Sequence, residues 1–283
     1  MRLLSWNIQW CRGVDGVVDP ARIARTARTL CDPDVLCLQE VAANFPALAG
    51  SRGEDQFAAL AGEFSGYAAA AAWGVDVPDE LGGRRRFGNL ILSRLPVGRV
   101  LRHALPWPPE PGSPSMPRVA LEAEIRAPWG ALRVATTHLE YYSPRQRAAQ
   151  VERLRALHAE ACAQAAAAPS PREDGGPFQR RERPREAILA GDFNLPAGDA
   201  LHERICAPFE DGTPPLYDAW SVLHGATPHP PSFRLYEPDY PGTPYCCDFV
   251  FVSEALAPRL SALRIDADCK ASDHQPVVVE FSA

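Results

Sequence analysis

At 283 residues, 46% hydrophobic and 23% charged, the chain has ordinary globular composition and room for one large α/β domain or two small ones, which excludes disorder of the whole. Its formal charge of -6 and pI near 5.7 leave no global positive field to draw it onto nucleic acid or anionic lipid; only a local basic groove would do so. The eight cysteines show no paired C-x-x-C spacing of the kind that holds zinc or works as a redox motif, and are expected to be reduced thiols used as small core residues.

Arg2–Asn7 reads as a buried strand ending in a polar residue. No positive n-region, long apolar stretch or small-residue cleavage site is visible, so a cytoplasmic location is the expectation. Asp19-Pro20 offers an N-cap followed by proline at N1, and Ile23, Ala27 and Leu30 recur at helical spacing, which predicts an amphipathic helix. The next strand is Val35–Gln39, with Glu40 at its end. A carboxylate there is either an exposed strand-end charge or a metal ligand beside Asn7.

A helix is predicted over 54–64, a strand over 67–73 and a loop over 75–86. Within that loop Arg84-Arg85-Arg86 reads first as a solvated run and second as a phosphate contact. Phe87-Gly88-Asn89 leads into a strand over 90–92, and a further strand runs from about 99 to 105. The proline-rich segment 106–117 rules out regular structure and predicts an extended connection. Arg118 opens a strand over 119–125, and a turn at 127–130 leads into a strand over 131–137, a hairpin that ends in His138. Taken alone, His138 is more often a hydrogen-bonded structural residue than a catalytic one.

Pro144 starts the longest helix, predicted to reach Ala168, with Arg147 and Gln150 hydrogen-bonding to neighbouring loops. Segment 169–186, rich in proline, glycine and charge, is predicted to be a mobile insertion. The run Ala187-Ile188-Leu189-Ala190 then delivers Gly191-Asp192-Phe193-Asn194, a carboxylate and an amide two positions apart on the same side of an extended chain. Alone, these are ordinary turn formers. Short helical pieces are predicted over 200–206 and 217–223, followed by a long loop over 227–245 that covers the surface and shapes substrate access. Cys246–Val252 resumes a strand with Asp248 at its start, 260–266 is another, and Ser272-Asp273-His274 precedes the last, over 275–281. Neither a repeat nor a break divides the chain, so 1–283 is read as one domain, and its apolar runs are too short for integral membrane association.

Asn7, Glu40, His138, Asp192, Asn194, Asp248, Asp273 and His274 each sit at the end or beginning of an apolar run. Sandwiches and barrels assemble a site at one rim from such strand ends. Without lysine pairs, a glycine-rich phosphate loop or cysteine ligands, this set points to hydrolysis assisted by a hard metal such as Mg²⁺ or Mn²⁺, with histidines carrying protons.

The ordered series Trp6-Asn7, Gln39-Glu40, Gly88-Asn89, Thr137-His138-Leu139, Gly191-Asp192-Phe193-Asn194, Asp248-Phe249-Val250-Phe251 and Ser272-Asp273-His274 resembles the endonuclease/exonuclease/phosphatase superfamily. That superfamily includes DNase I, apurinic-site endonucleases, neutral sphingomyelinases, inositol polyphosphate phosphatases and deadenylases. The resemblance spans about the full length and implies an α/β four-layer sandwich, two mixed β-sheets face to face and flanked by helices. It implies Glu40 as the main metal ligand, assisted by Asn7 and Asp273. Asp192 and Asn194 would position the attacking water and a phosphate oxygen, and His138 would stabilise charge on the non-bridging oxygens. His274, oriented by Asp248, would carry a proton or contact phosphate, and Asn89 and Arg118 would bind substrate.

The implied function is metal-assisted in-line attack of water on a phosphodiester, with nucleic acid as the first substrate class. The alternatives are a phospholipid, sphingomyelin or inositol phosphate, or a catalytically silent binding module. Whether Asp192 or His274 takes the proton is open at this stage, and a monomer is expected. Where apurinic-site endonucleases carry an acid two positions after the first-strand Asn, this chain has Gln9, which sets it apart from that branch. The acidic balance also disfavours tight non-specific DNA binding.

Overall fold

The computed structural model describes residues 1–80, 82–167, 173–179, 181–236 and 242–282. The first half of the chain forms β1 (Arg2–Asn7), α1 (Pro20–Cys31), β2 (Val35–Ala43), α2 (Gln56–Glu63), β3 (Ala68–Pro78), β4 (Arg84–Ser93), β5 (Val97–Ala104), β6 (Val119–Ala127) and β7 (Gly130–His138). The second half forms α3 (Pro144–Ala166), β8 (Ala187–Asp192), α4 (Ala200–Cys206), β9 (Leu216–Asp218), α5 (Ala219–His224), β10 (Asp248–Ser253), β11 (Leu260–Ile265) and β12 (Val277–Phe281). These strands build two six-stranded mixed sheets, ordered β11-β12-β1-β2-β4-β3 and β5-β6-β7-β8-β10-β9.

Alternation along the strands explains the layers. Leu3, Val35 and Cys37 of the first sheet meet Val134, Ile188 and Val250 of the second in the central core. Their neighbours Leu4, Leu36 and Leu38 face the other way, onto Ile23 and Ala27 of α1 and Leu60 of α2. On the far side Leu189, Phe249 and Phe251 pack against Val151 and Leu154 of α3 and Ile205 of α4. With both faces of each sheet covered, the central strands read as unbroken apolar runs, and each wholly buried Leu, Ile or Phe contributes about 1.5–3 kcal/mol. The expected four-layer sandwich is the observed fold.

The helix starts follow from capping. Asp19 accepts the Arg22 N–H ahead of Pro20, and Ser143 accepts the Gln146 N–H ahead of Pro144. Two predicted boundaries are corrected. The segment 75–86 contains no simple loop: residues through Pro78 and from Arg84 extend β3 and β4 into a two-stranded ribbon. There Arg84 and Arg86 both pair with Asp76, and Arg86 lies over the Trp73 ring. Val75 and Val77 alternate with Asp76 there, but the partner strand opens with Arg84-Arg85-Arg86, which carries no apolar position to match them. The second strand also continues past Gln39 to Ala43, through a register shift that leaves Glu40 at φ 57°.

Of the expected insertion over 169–186, residues 169–172 and 180 lie outside the described residues. Its end is held down: buried Arg183 pairs with Glu122 and Glu124 of β6, and Arg133 donates to the carbonyls of Pro184 and Arg185. Arg133 also donates to His158 Nδ1 at 3.1 Å, and His158 Nε2 meets the Pro214 carbonyl at 3.0 Å. Burial, reinforced by the Arg133 charge, pushes the His158 pKa down to about 4. Neutral His158 is therefore the native form, and its contribution is full above the unfolded-state value near ~6.5 and lost progressively as the pH falls towards the folded value. The unfolding free energy from denaturant titration should drop more between pH 7 and 4.5 for the wild type than for His158→Gln, by roughly 1–3 kcal/mol. Equal slopes for the two proteins would refute this.

Candidate active site

The sheet register alone brings the predicted residues together. Parallel pairing sets Asn7 beside Gln39 and His138 beside Asp192, while antiparallel pairing sets Asp248 opposite Asp192. Antiparallel pairing of β1 with β12 brings the segment before β12, with Asp273 and His274, to the same rim. The two sheets are joined there by Gln39, whose Nε2 donates to Thr136 Oγ1 at 2.8 Å. Gly191 has φ 146°, and a Cβ there would lie 2.0 Å from the Thr137 carbonyl oxygen, so only glycine lets β8 approach β7 closely enough to present Asp192.

Glu40, His138, Asp192, Asn194, Asp273 and His274 line one cleft of about 140 Å³, together with Arg118, Tyr141, Tyr142 and Phe233. Asn7 bridges the carboxylates: its Nδ2 donates to Glu40 Oε1 and to Asp192 Oδ2, each at 3.0 Å. Its Oδ1 accepts the Gln9 N–H at 3.1 Å, so the amide nitrogen, not the oxygen, faces the acids. The bulge in β2 aims Glu40 at this point, and its left-handed backbone is strain of order 1–3 kcal/mol held by the surrounding sheet.

Both imidazoles face Asp192. His138 Nε2 lies 3.4 Å and His274 Nε2 3.7 Å from its Oδ2. His274 Nδ1 is 2.8 Å from Asp248 Oδ2, which also accepts the Ser232 hydroxyl at 2.6 Å. The His274 ring stacks on Phe233 with centroids 4.4 Å apart. Asn194, at φ 53°, folds back so that its N–H donates to Asp192 Oδ1 and its Nδ2 to the Leu139 carbonyl. It therefore braces Asp192 as well as lining the cleft.

These contacts separate the titrating groups. Burial pushes the Asp192 carboxyl up to about 6, with the Asp248 charge adding to it. Burial likewise raises Glu40, helped by Asp192. Burial would lower His274, but the carboxylates of Asp248, Asp192 and Asp273 outweigh it and hold that imidazole well above its usual value. His138 falls well below its usual value through burial and the Arg118 and His274 charges. At neutral pH the pattern is a charged His274, a neutral His138 and a largely ionised Asp192.

Burial and the Asp192 charge raise the Glu40 pKa although the His274 and Arg118 charges partly offset them, and the oxygen donors Glu40 and Asp273 on the cleft suit a hard divalent cation. Cys247 also lies close to Asp192 and His274, and burial raises its thiol well above the usual thiol range.

Arg118 is buried at the start of β6, held by Glu140 at 3.3 Å, and its Nη1 has no hydrogen-bond partner. It lines the cleft, as a substrate contact should. Asn89 does not; its Nδ2 donates to the Val119 carbonyl, tying β4 to β6 beneath Arg118. Arg147 and Gln150 do hold a loop: Arg147 donates to the Glu140 and Tyr141 carbonyls, and Gln150 accepts the Glu140 N–H.

Sequence reasoning missed Gln9, Ser232, Phe233 and Glu140. Gln9 Nε2 donates to Asp273 Oδ2 at 2.9 Å, an amide fixing an acid from the position where a second acid was sought. Ser232 and Phe233 belong to the predicted surface loop, yet they are buried, and Gln275 N–H donates to the Ser232 carbonyl at 2.7 Å. Residues 237–241 of that loop lie outside the described residues.

The family model described as endonuclease/exonuclease/phosphatase matches residues 4–274. The structure is similar to an endonuclease/exonuclease/phosphatase from Beutenbergia cavernae DSM 12333, with a TM-score of 0.70 and 26% identity over 100% of this chain and 72% of that one. It is also similar to the mannosyl-6-phosphatase Bt3783 of Bacteroides thetaiotaomicron VPI-5482, with a TM-score of 0.66 and 16% identity over the whole of both chains. A third likeness is to D. rerio TDP2 complexed with a single-strand DNA product, with a TM-score of 0.64 and 19% identity over 100% of this chain and 99% of that one. No curated protein matches the sequence.

Proposed function

The chain belongs to the endonuclease/exonuclease/phosphatase family, and from that premise we propose that it is a divalent-metal-dependent phosphoesterase cleaving a phosphodiester, with nucleic acid as the substrate class. The observation that carries this reading is the convergence of Glu40, Asp192, His138 and His274 on one cleft, with Asn7 bridging the two acids and both imidazoles facing Asp192. Glu40, with Asp273, would hold the cation, Mg²⁺ or Mn²⁺, which when bound supplies Lewis-acid polarisation of a phosphate oxygen.

The chain's own residues do the rest. Asp192, ionised above about pH 6 and fixed by Asn7 and Asn194, orients a water for in-line attack and accepts its proton at Oδ2. Imidazolium His274, kept charged by Asp248, offers its Nε2 proton to the anionic transition state. Neutral His138 offers a second hydrogen bond. Arg118 meets a non-bridging phosphate oxygen. Tyr141 and the exposed Tyr142 border the cleft as flat surfaces for a nucleobase, which favours a nucleic-acid substrate over an inositol phosphate.

The test is hydrolysis of a generic aryl phosphodiester with and without chelator, followed by a panel of DNA, RNA, inositol phosphates and sphingomyelin. Chelator-sensitive cleavage, fastest on a single-stranded polynucleotide, is expected; no hydrolysis of any ester would overturn the reading. Arg118→Lys keeps the charge beside Glu140 but loses the planar fork, so KM should rise about tenfold with kcat less affected. An unchanged KM would remove Arg118 from the substrate contacts.

A further inference from the structure

On the outer face of the second sheet lies another cluster, none of whose members lines the cleft. His202 comes from α4, Asp218 ends β9 and caps α5, and His229 follows α5. Their candidate ligand atoms all lie within 4.8 Å of one another. His229 Nε2 is 2.7 Å and His202 Nε2 3.3 Å from the same oxygen, Asp218 Oδ2.

That oxygen also accepts the Ser221 hydroxyl at 3.0 Å, while Oδ1 accepts the Trp220 N–H at 3.0 Å. Three claimants therefore crowd an oxygen with two in-plane lone pairs. The claimant served worst is identifiable: His202 is 8% exposed, and its Nε2, 3.3 Å from that oxygen, is the one without a well-directed hydrogen bond. A buried imidazole nitrogen aimed at a carboxylate without a well-directed bond to it is costly in a purely structural cluster. A cation resolves the conflict by using the lone pair of each Nε2 together with the carboxylate charge.

We propose that His202, Asp218 and His229 form a binding site for a borderline divalent cation of the zinc type, distinct from the hard-metal site in the cleft. Two imidazoles and one carboxylate are a donor set that zinc takes in tetrahedral sites, whereas Mg²⁺ prefers oxygen donors. Three ligands leave a fourth position for water. His202 and Asp218 border a surface depression of about 470 Å³, which provides the entry path. A cation there would clip α4, the β9–α5 junction and the chain after α5 to one another.

Zinc-binding calorimetry on chelator-stripped protein in excess Mg²⁺ tests this. The wild type should bind one Zn²⁺ that His202→Gln and His229→Gln each bind at least about 100-fold more weakly, with metal-free melting and circular dichroism confirming their folds. Co²⁺ should give visible ligand-field bands in the wild type that both variants lose. Extended X-ray absorption on the zinc-loaded wild type needs no variant and should count two imidazole ligands. The proposal is overturned if the wild type binds no Zn²⁺, if both variants retain it, if fewer than two imidazoles are counted, or if Glu40→Gln abolishes binding instead.

Discussion

Glu40→Gln should lower phosphoesterase turnover by at least about 100-fold while leaving the protein as stable as the wild type or more so. Outer-shell partners of metal sites already cost tenfold to a hundredfold, so loss of the main carboxylate should cost more. The stability half follows from the electrostatics. Glu40 and Asp192 share the amide of Asn7, and burial together with the Asp192 charge raises the Glu40 pKa. A neutral isostere keeps the shape, removes a buried charge and relieves Asp192, which makes Glu40 an example of stability given up for activity. Divalent-ion titration should show the loss of affinity directly. Near-normal turnover in the folded variant would discard Glu40 as the cation's main holder.

Asp192→Asn should cut turnover by about 100- to 10,000-fold, the span usual for a lost acid–base group, and remove the acid limb of the pH–rate profile. The sign follows from the base having to be ionised. With its pKa pushed up to about 6, Asp192 holds a proton below that pH, so the wild-type rate should fall as the pH drops through this region. A cation beside Glu40 favours the ionised form and moves the limb to lower pH. His274→Gln should instead keep an acid limb, moved to higher pH because the His274 charge no longer lowers Asp192, and abolish the alkaline one, because His274 works while charged and its pKa is raised by Asp248, Asp192 and Asp273. If the acid limb persisted in Asp192→Asn and vanished in His274→Gln, their roles would be exchanged.

Much of this site was legible because it is built on strand ends. An apolar run that stops at Asn7, His138 or Asp192 marks both the end of a buried strand and a polar group at the rim, and the sheets place those ends side by side. What escaped was support from irregular chain. The Gln9 turn has left-handed backbone at three successive non-glycine residues, Gln9, Trp10 and Cys11, which no local propensity announces. Ser232 and Phe233 lie in a segment whose proline and charge signal exposure, and backbone pairing with Tyr245, His274 and Gln275 buries them. Asn89 carries the motif but faces a backbone carbonyl, since sequence spacing does not say which of two sheets an amide will tie.

The pairing of β1 with β12 also sets a moment in the life of the chain. Asn7 and Glu40 are made early, yet Trp6 donates to the His274 carbonyl, and Ser272 donates to the carbonyl of Asn7. Until β12 has docked on β1, Asn7 and Glu40 have neither Asp273 nor His274 beside them, so the cleft is completed only by contacts such as Trp6 to His274, 268 residues apart.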